Sequence, residues 1–345
     1  MKLKHMASFL VLSASTSAFA LPVTFVFNYT DAAGTGFYDA DLGAKRRADL
    51  EAAGSLWGQL LSASYAGETI NIGASFNAAS TSLNPLSAAS ATNVYANGQM
   101  DNKGLTNVVY TAPLAEHLAG RNLNGGAMDY TLSFNPNLPT HFGTDAPPGA
   151  SEYDFYSYSL RAVARTLGFN TRLDLSATAT QGTFFTQYDT NTGTYIQMPG
   201  IYDSFLREGS GKSWVTMTSA ERIAADTHIT QTSNDSPIGA LFWTGANAVA
   251  QHANMPLRVN GMPIGSDGRL NGNAIIYLDQ SNTTLMTYLG IQPGQTMGLD
   301  SQTAGMMMDM GWHLSVPLPV PEPSSYAMLL AGLGMIGFAA RRRMA

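Results

Sequence analysis

The sequence predicts an α+β domain, and three observations carry that expectation. Short runs alternate apolar and polar residues, longer runs place apolar residues at helical spacing, and no repeat occurs at a solenoid period. Val23 to Phe27, with β-branched and aromatic residues in alternation, reads as a strand. A turn at Ala33-Gly-Thr-Gly36 leads to a helix from Leu42 to Leu61, whose buried stripe is Leu50, Ala53, Trp57, Leu60 and Leu61, with Lys45, Arg46 and Arg47 on the wet side. Thr69 to Gly73 is a second strand, and residues 75 to 108, rich in Ser, Ala, Asn and Gly, are expected to be loops with short strands. Pro113 to Leu118 is a short helix stopped by Gly120, and Asp129 to Phe134 alternates as a strand. From Tyr153 to Leu167 a longer helix buries Leu160, Val163, Ala164 and Leu167, and Gly168 ends it. Thr218 and Glu221 form a capping box that opens a helix through Ile223 and Ala225. Met306, Met307 and Met308 read as core packing, and the globular part closes near Trp312.

Both ends depart from this pattern. Lys2 and Lys4 precede the apolar run Phe9 to Leu12, which closes on Ala18-Phe19-Ala20; a basic start, an apolar middle and an A-x-A site read as a secretory signal peptide over residues 1–20. Cleavage after Ala20 makes Leu21 the mature start. The domain then occupies residues 21–316, followed by a Pro-rich linker at 317–324 and an apolar helix with a basic end at 325–345. As a helix, Tyr326 to Ala340 rises about 22 Å, short of the roughly 30 Å hydrocarbon core. Arg341, Arg342 and Arg343 would hold its end on the cytoplasmic side, with the domain outside.

Composition narrows the chemistry. Although export permits disulfides, the chain has no Cys, so burial and hydrogen bonds must hold the fold and no thiolate serves as ligand or nucleophile. Only 12% of residues are charged and the formal net charge is −6. Without Lys2, Lys4, Arg341, Arg342, Arg343 and Glu322 the remainder has 13 basic and 23 acidic residues, a net of −10, and it lacks the basic stripe that nucleic-acid binding requires. No G-x-S-x-G elbow occurs, and neither Gly34-Thr-Gly36 nor Gly209-Ser-Gly211 continues into the Lys-Ser/Thr of a P-loop. The mature histidines His117, His141, His228, His252 and His313 include no pair three to five residues apart, and each reads as solvent-facing or singly hydrogen-bonded.

Val320-Pro321-Glu322-Pro323, a Ser pair, a short apolar helix and the cluster Arg341 to Arg343 together resemble a PEP-CTERM sorting signal. The resemblance implies an exosortase-type enzyme and the secretion machinery as partners, and contact with the membrane through the C-terminal helix. It places the protein at the cell surface, the outer membrane or the extracellular matrix.

A second resemblance spans most of the mature chain. Phe27-Asn-Tyr-Thr-Asp31 through Gly36-Phe37, the helix Arg46-Arg47 to Trp57, Leu114-Ala-Glu-His-Leu-Ala-Gly120, Leu167-Gly-Phe169, Leu285-Met286 and Met308-Asp-Met-Gly-Trp312 resemble, in this order, secreted zincin-like metallopeptidases of the metzincin type. The resemblance implies a zincin-like domain with Met286 as the Met-turn. It also places H-E-x-x-H where this chain has Arg161, Ala162 and Arg165, a third ligand at Thr171, and a His at Tyr277. An Arg offers no lone pair to a metal and Ala162 cannot act as base, so no cofactor is expected and catalysis is expected to be lost. Two Arg one turn apart ordinarily form a solvated face. Within the resembled fold they line the cleft instead, with Asp279 and Asp309 as candidate partners. The domain then reads as a pseudopeptidase that binds a surface polysaccharide or a protein, and the alternative is an active peptidase of the same family with a different site.

Overall fold

The computed structural model describes residues 21–80, 85–174, 182–189, 193–224, 241–259, 275–287 and 291–315. The expected signal peptide, the Pro-rich linker, the sorting helix, His228 and Ala225 lie outside them. In chain order, the first half contains β1 (Thr24–Tyr29), α1 (Gly43–Leu60), β2 (Thr69–Phe76), β3 (Leu86–Ala91), β4 (Val94–Ala96), β5 (Val109–Thr111), α2 (Ala112–Ala119) and β6 (Tyr130–Phe134). Next come β7 (Thr140–His141), β8 (Tyr153–Asp154), α3 (Phe155–Thr166), β9 (Thr186–Asp189), β10 (Thr194–Gln197), α4 (Ile201–Ser204), β11 (Leu206–Glu208), β12 (Leu241–Trp243), α5 (Ala246–Gln251), β13 (Leu257–Arg258) and α6 (Ser301–Met310). The class is α+β.

The main sheet has the order β1-β2-β6-β3, with β1, β2 and β6 parallel and β3 antiparallel at the far edge. In β1, Phe25, Phe27 and Tyr29 are half-buried while the residues between them are exposed, as a strand covered on one face requires. α1 packs close on β1 because it carries Gly54 and Gly58. A Cβ on Gly58 would lie 2.3 Å from the Val23 carbonyl oxygen, and one on Gly54 would lie 2.7 Å from the Phe27 ring. Trp57 then reaches across α1, donating from Nε1 to the Leu160 carbonyl of α3 at 2.9 Å. Under both helices Phe37, Phe76, Phe134 and Phe155 form one aromatic cluster.

Asp31 ties the front of the molecule together, accepting from the Phe37 amide at 2.8 Å and the Phe76 amide at 2.9 Å. Gly36 is required beside it: its φ is +55°, and a Cβ there would collide with the Asp31 carboxylate. The same turn corrects the expectation for α1. Arg46 is buried, with its guanidinium 4.5 Å from the Phe76 ring centroid and donating to the Gly36 carbonyl at 2.6 Å, so it does not face water.

α3 starts after Asp154, whose carboxylate accepts from the Ser157 amide at 3.0 Å as an N-cap. Tyr153 and Asp154 belong to β8, paired with β7, which is why the helix begins later than its apolar period suggests. Gly168, at φ +126°, lets the chain leave α3, and Trp312 Nε1 donates to the Leu167 carbonyl at 2.7 Å. β3 is the element that the composition of residues 75–108 conceals. Leu86-Ser-Ala-Ala-Ser-Ala91 has little strand propensity of its own, and the ladder with β6 supplies it.

Candidate functional site

The residues at the spacing of the resembled metal motif lie on α3. Arg161 and Arg165 are one helical turn apart and both are buried, at 3% and 8% exposure. They are therefore not a solvated face. Arg161 donates from Nε to the Leu285 carbonyl and from Nη2 to the Thr287 carbonyl, both at 2.8 Å. Its guanidinium carbon also lies 5.2 Å from the Tyr277 ring centroid and 5.6 Å from that of Tyr158. Arg165 donates from Nη1 to the Tyr277 hydroxyl at a long 3.4 Å and lies 6.0 Å from the same ring. Ala162, between them, is fully enclosed in the core.

The loop that receives Arg161 is held from behind. Asp300 caps α6 by accepting from the Thr303 amide at 2.7 Å, and its other oxygen accepts from the Leu285 amide at 2.8 Å. Thr284 and Thr287 close the turn through their hydroxyls, 3.2 Å apart. Met286 is fully buried at the centre of this turn, and its carbonyl accepts from the Leu278 amide. Arg161 and Arg165 on one helix thus share a region with Tyr277 and Met286, which lie far along the chain from them.

Thr171 does not join them by a hydrogen bond. Its hydroxyl donates to Asp203 Oδ1 at 2.6 Å, and Asp203 also accepts from the Arg172 and Gly200 amides, each at 2.9 Å. Burial pushes the Asp203 carboxyl up to about 6 despite those donors.

Asp279 and Asp309 are not the partners of the arginines. Asp279 accepts from the Ser281 amide inside its own turn. Asp309 caps α5, accepting from the Asn247 and Ala248 amides at 2.8 and 3.1 Å, and from Trp243 Nε1 at 3.0 Å. Arg161 is satisfied by carbonyls and ring faces instead, whereas Arg165 has the Tyr277 hydroxyl and ring and keeps a buried Nε without a hydrogen-bond partner. Burial pushes the Arg161 guanidinium below its ordinary value, yet an arginine keeps its proton in proteins.

His117 also departs from the expectation of a solvent-facing or singly bonded ring. It is fully buried, with Nδ1 2.9 Å from Glu68 Oε1 and Nε2 2.9 Å from His313 Nδ1. Trp312 packs against its ring at 4.5 Å. Sequence spacing does not reveal this group, because its members come from residues 68, 117 and 313. Among the described residues no cluster of three or more His, Cys, Asp or Glu could hold a metal ion, and no helix is long and apolar enough to cross a membrane.

Residues 319–343 match the family model described as the PEP-CTERM protein-sorting motif. The chain carries a PEP-CTERM sorting signal. The motif marks an exported, envelope-associated protein that an exosortase processes, and it covers Pro321, Glu322, Pro323 and Arg341 to Arg343. No curated protein and no solved structure matches this PEP-CTERM chain.

Proposed function

We propose that the domain of this PEP-CTERM protein is a peptidase-like scaffold that has lost catalysis and serves as a binding component of the cell surface or matrix. One observation carries the reading: the Arg161 guanidinium grips the carbonyls on both sides of Met286. In a zincin-like cleft the first metal-binding imidazole would stand at that helix position and the Met-turn beneath it. Here a fixed cation fills the place, repels divalent metal and offers only donors. The parallel strands β1, β2 and β6, the antiparallel edge strand β3 and the helix α3 that follows β6 support the same reading. So does Ala162, which has no carboxylate to activate water. The ligand would be a surface polysaccharide or a protein, since function belongs to the site and not to the scaffold.

The test is elemental analysis of the purified mature protein. The wild type should contain no stoichiometric zinc, and Arg161→His/Ala162→Glu/Arg165→His should bind a measurable amount. One equivalent of tightly held zinc in the wild type, or cleavage of a protein substrate by it, would overturn the proposal.

A further inference from the structure

The two arginines on α3 are not used alike. Arg161 spends Nε and Nη2 on the carbonyls around Met286. Arg165 makes a single hydrogen bond, from Nη1 to the Tyr277 hydroxyl at 3.4 Å, which leaves its Nε–Nη2 edge unused. Its Nε is screened from solvent and has no partner. Among the described residues no ion pair involves either arginine. The Tyr130 hydroxyl, at the start of β6, is fully buried, stands beside Arg165 and completes no hydrogen bond. The Tyr202 hydroxyl faces Arg165 from α4 but is spent on the Ile275 carbonyl at 3.0 Å. Asp203, next to it, is taken up by the Thr171 hydroxyl and the Arg172 and Gly200 amides.

A buried cation without an acceptor and a buried hydroxyl without a partner are each costly. The C-terminal end of α3 lies at Arg165 and offsets about half an elementary charge at most. What is missing is an anion. The Nε–Nη2 edge of a guanidinium matches the two oxygens of a carboxylate, and the Tyr130 hydroxyl adds a third donor. One negative charge balances the one uncompensated guanidinium, whereas a phosphate dianion would carry excess charge into a dry place. The carboxylate must also arrive singly. Outside the terminal segments acidic residues outnumber basic ones 23 to 13, so a polysaccharide charged on every sugar is repelled.

We infer that Arg165 and Tyr130, with Tyr277 steadying the guanidinium, form a site for a single carboxylate carried on a peptide. Arg165 keeps 8% exposure and Tyr277 is half-buried, so the cluster lies at the edge of the core. The Arg165 side chain turns on its long bond to Tyr277 as the group enters, which brings Nε out to it. The helix position that repels a metal ion at Arg161 thus draws in an anion one turn later. This names the ligand class for the binding role proposed above and rests on that reading.

Titration of the full mature chain with small peptides, followed through the arginine Nε–Hε signals by NMR, tests this. Acetyl-glycyl-glycine and acetyl-glutamate amide each carry one carboxylate, at the chain end and on a side chain, and acetyl-glycyl-glycinamide carries none. The Arg165 signal should shift saturably with one or both of the first two, the tighter naming the source, and stay in place with the third. The Arg161 signal, held by carbonyls, should move far less. Arg165→Lys keeps the charge but loses the paired donors, and should bind at least about tenfold more weakly. Tyr130→Phe removes only an unpaired hydroxyl, so binding should weaken several-fold while the melting temperature does not fall. No saturable shift, an equal response to the amide, wild-type affinity in Arg165→Lys or Tyr130→Phe, or tighter binding of inorganic phosphate or oligogalacturonate would each overturn the inference. Zinc content decides the scaffold reading separately: a zinc-free wild type that ignores carboxylates would sink this inference alone.

Discussion

Arg161 holds a buried charge through two backbone carbonyls and two ring faces, with no carboxylate in contact among the described residues. Removing its side chain leaves two buried acceptors without donors, at about 1–3 kcal/mol each. Arg161→Ala should therefore lower unfolding free energy in urea by several kcal/mol, and by more than Arg165→Ala, which breaks one long hydrogen bond. A loss below 1 kcal/mol would mean that the guanidinium lies on a solvated face. A second prediction at this scale concerns protons. Burial pushes the Glu116 carboxyl up to about 7, and those of Asp49 and Asp203 up to about 6. Each binds a proton more tightly in the folded protein than in the unfolded chain, so ionising it costs stability. The melting temperature should rise as pH falls from about 8 to about 5, levelling off near the unfolded carboxylate range. Glu116→Gln should flatten the part of that slope above pH 6.

At the scale of elements, the junction between α1 and β1 is set by absent side chains. Gly58→Ala would place a methyl group 2.3 Å from the Val23 carbonyl oxygen, which is backbone and cannot swing away. Alanine favours a helix by roughly 1 kcal/mol over glycine, but overpacking costs typically 1–3 kcal/mol. Chemical denaturation should show a net loss, whereas Gly67→Ala, in open space at positive φ, should show only backbone strain. The helical period of residues 43–60 is legible because it repeats every turn. The close approach is not, since glycine spacing alone does not say what lies opposite. α3 behaves similarly: its stripe of Leu160, Val163 and Leu167 is visible in sequence, while its start at Asp154 depends on pairing between β7 and β8.

The whole molecule combines an α+β domain with a PEP-CTERM sorting motif at residues 319–343. The basic cluster Arg341 to Arg343 falls within the residues that match the PEP-CTERM motif. Arg341→Ser/Arg342→Ser/Arg343→Ser should impair surface retention and processing, leaving the melting temperature of the domain unchanged. Cell fractionation with a C-terminal processing assay checks this, and normal processing of the variant would contradict it.

What the sequence determined by itself was whatever depends on neighbours along the chain: the PEP-CTERM signal, the stripes of α1 and α3, and the alternation of β1, β2 and β6. Tertiary structure decided which polar groups go inside. Arg46 is drawn in by Phe76 and Phe142, Arg161 by the turn around Met286, and His117 by Glu68 and His313. It also made a strand of Leu86 to Ala91, because β6 offered a ladder to residues with little preference of their own. The reason is physical. Helical and strand periods report which face of an element is apolar. A charge or an imidazole is buried only when donors, acceptors and ring faces converge on it from distant parts of the chain, and that convergence exists only in the folded state.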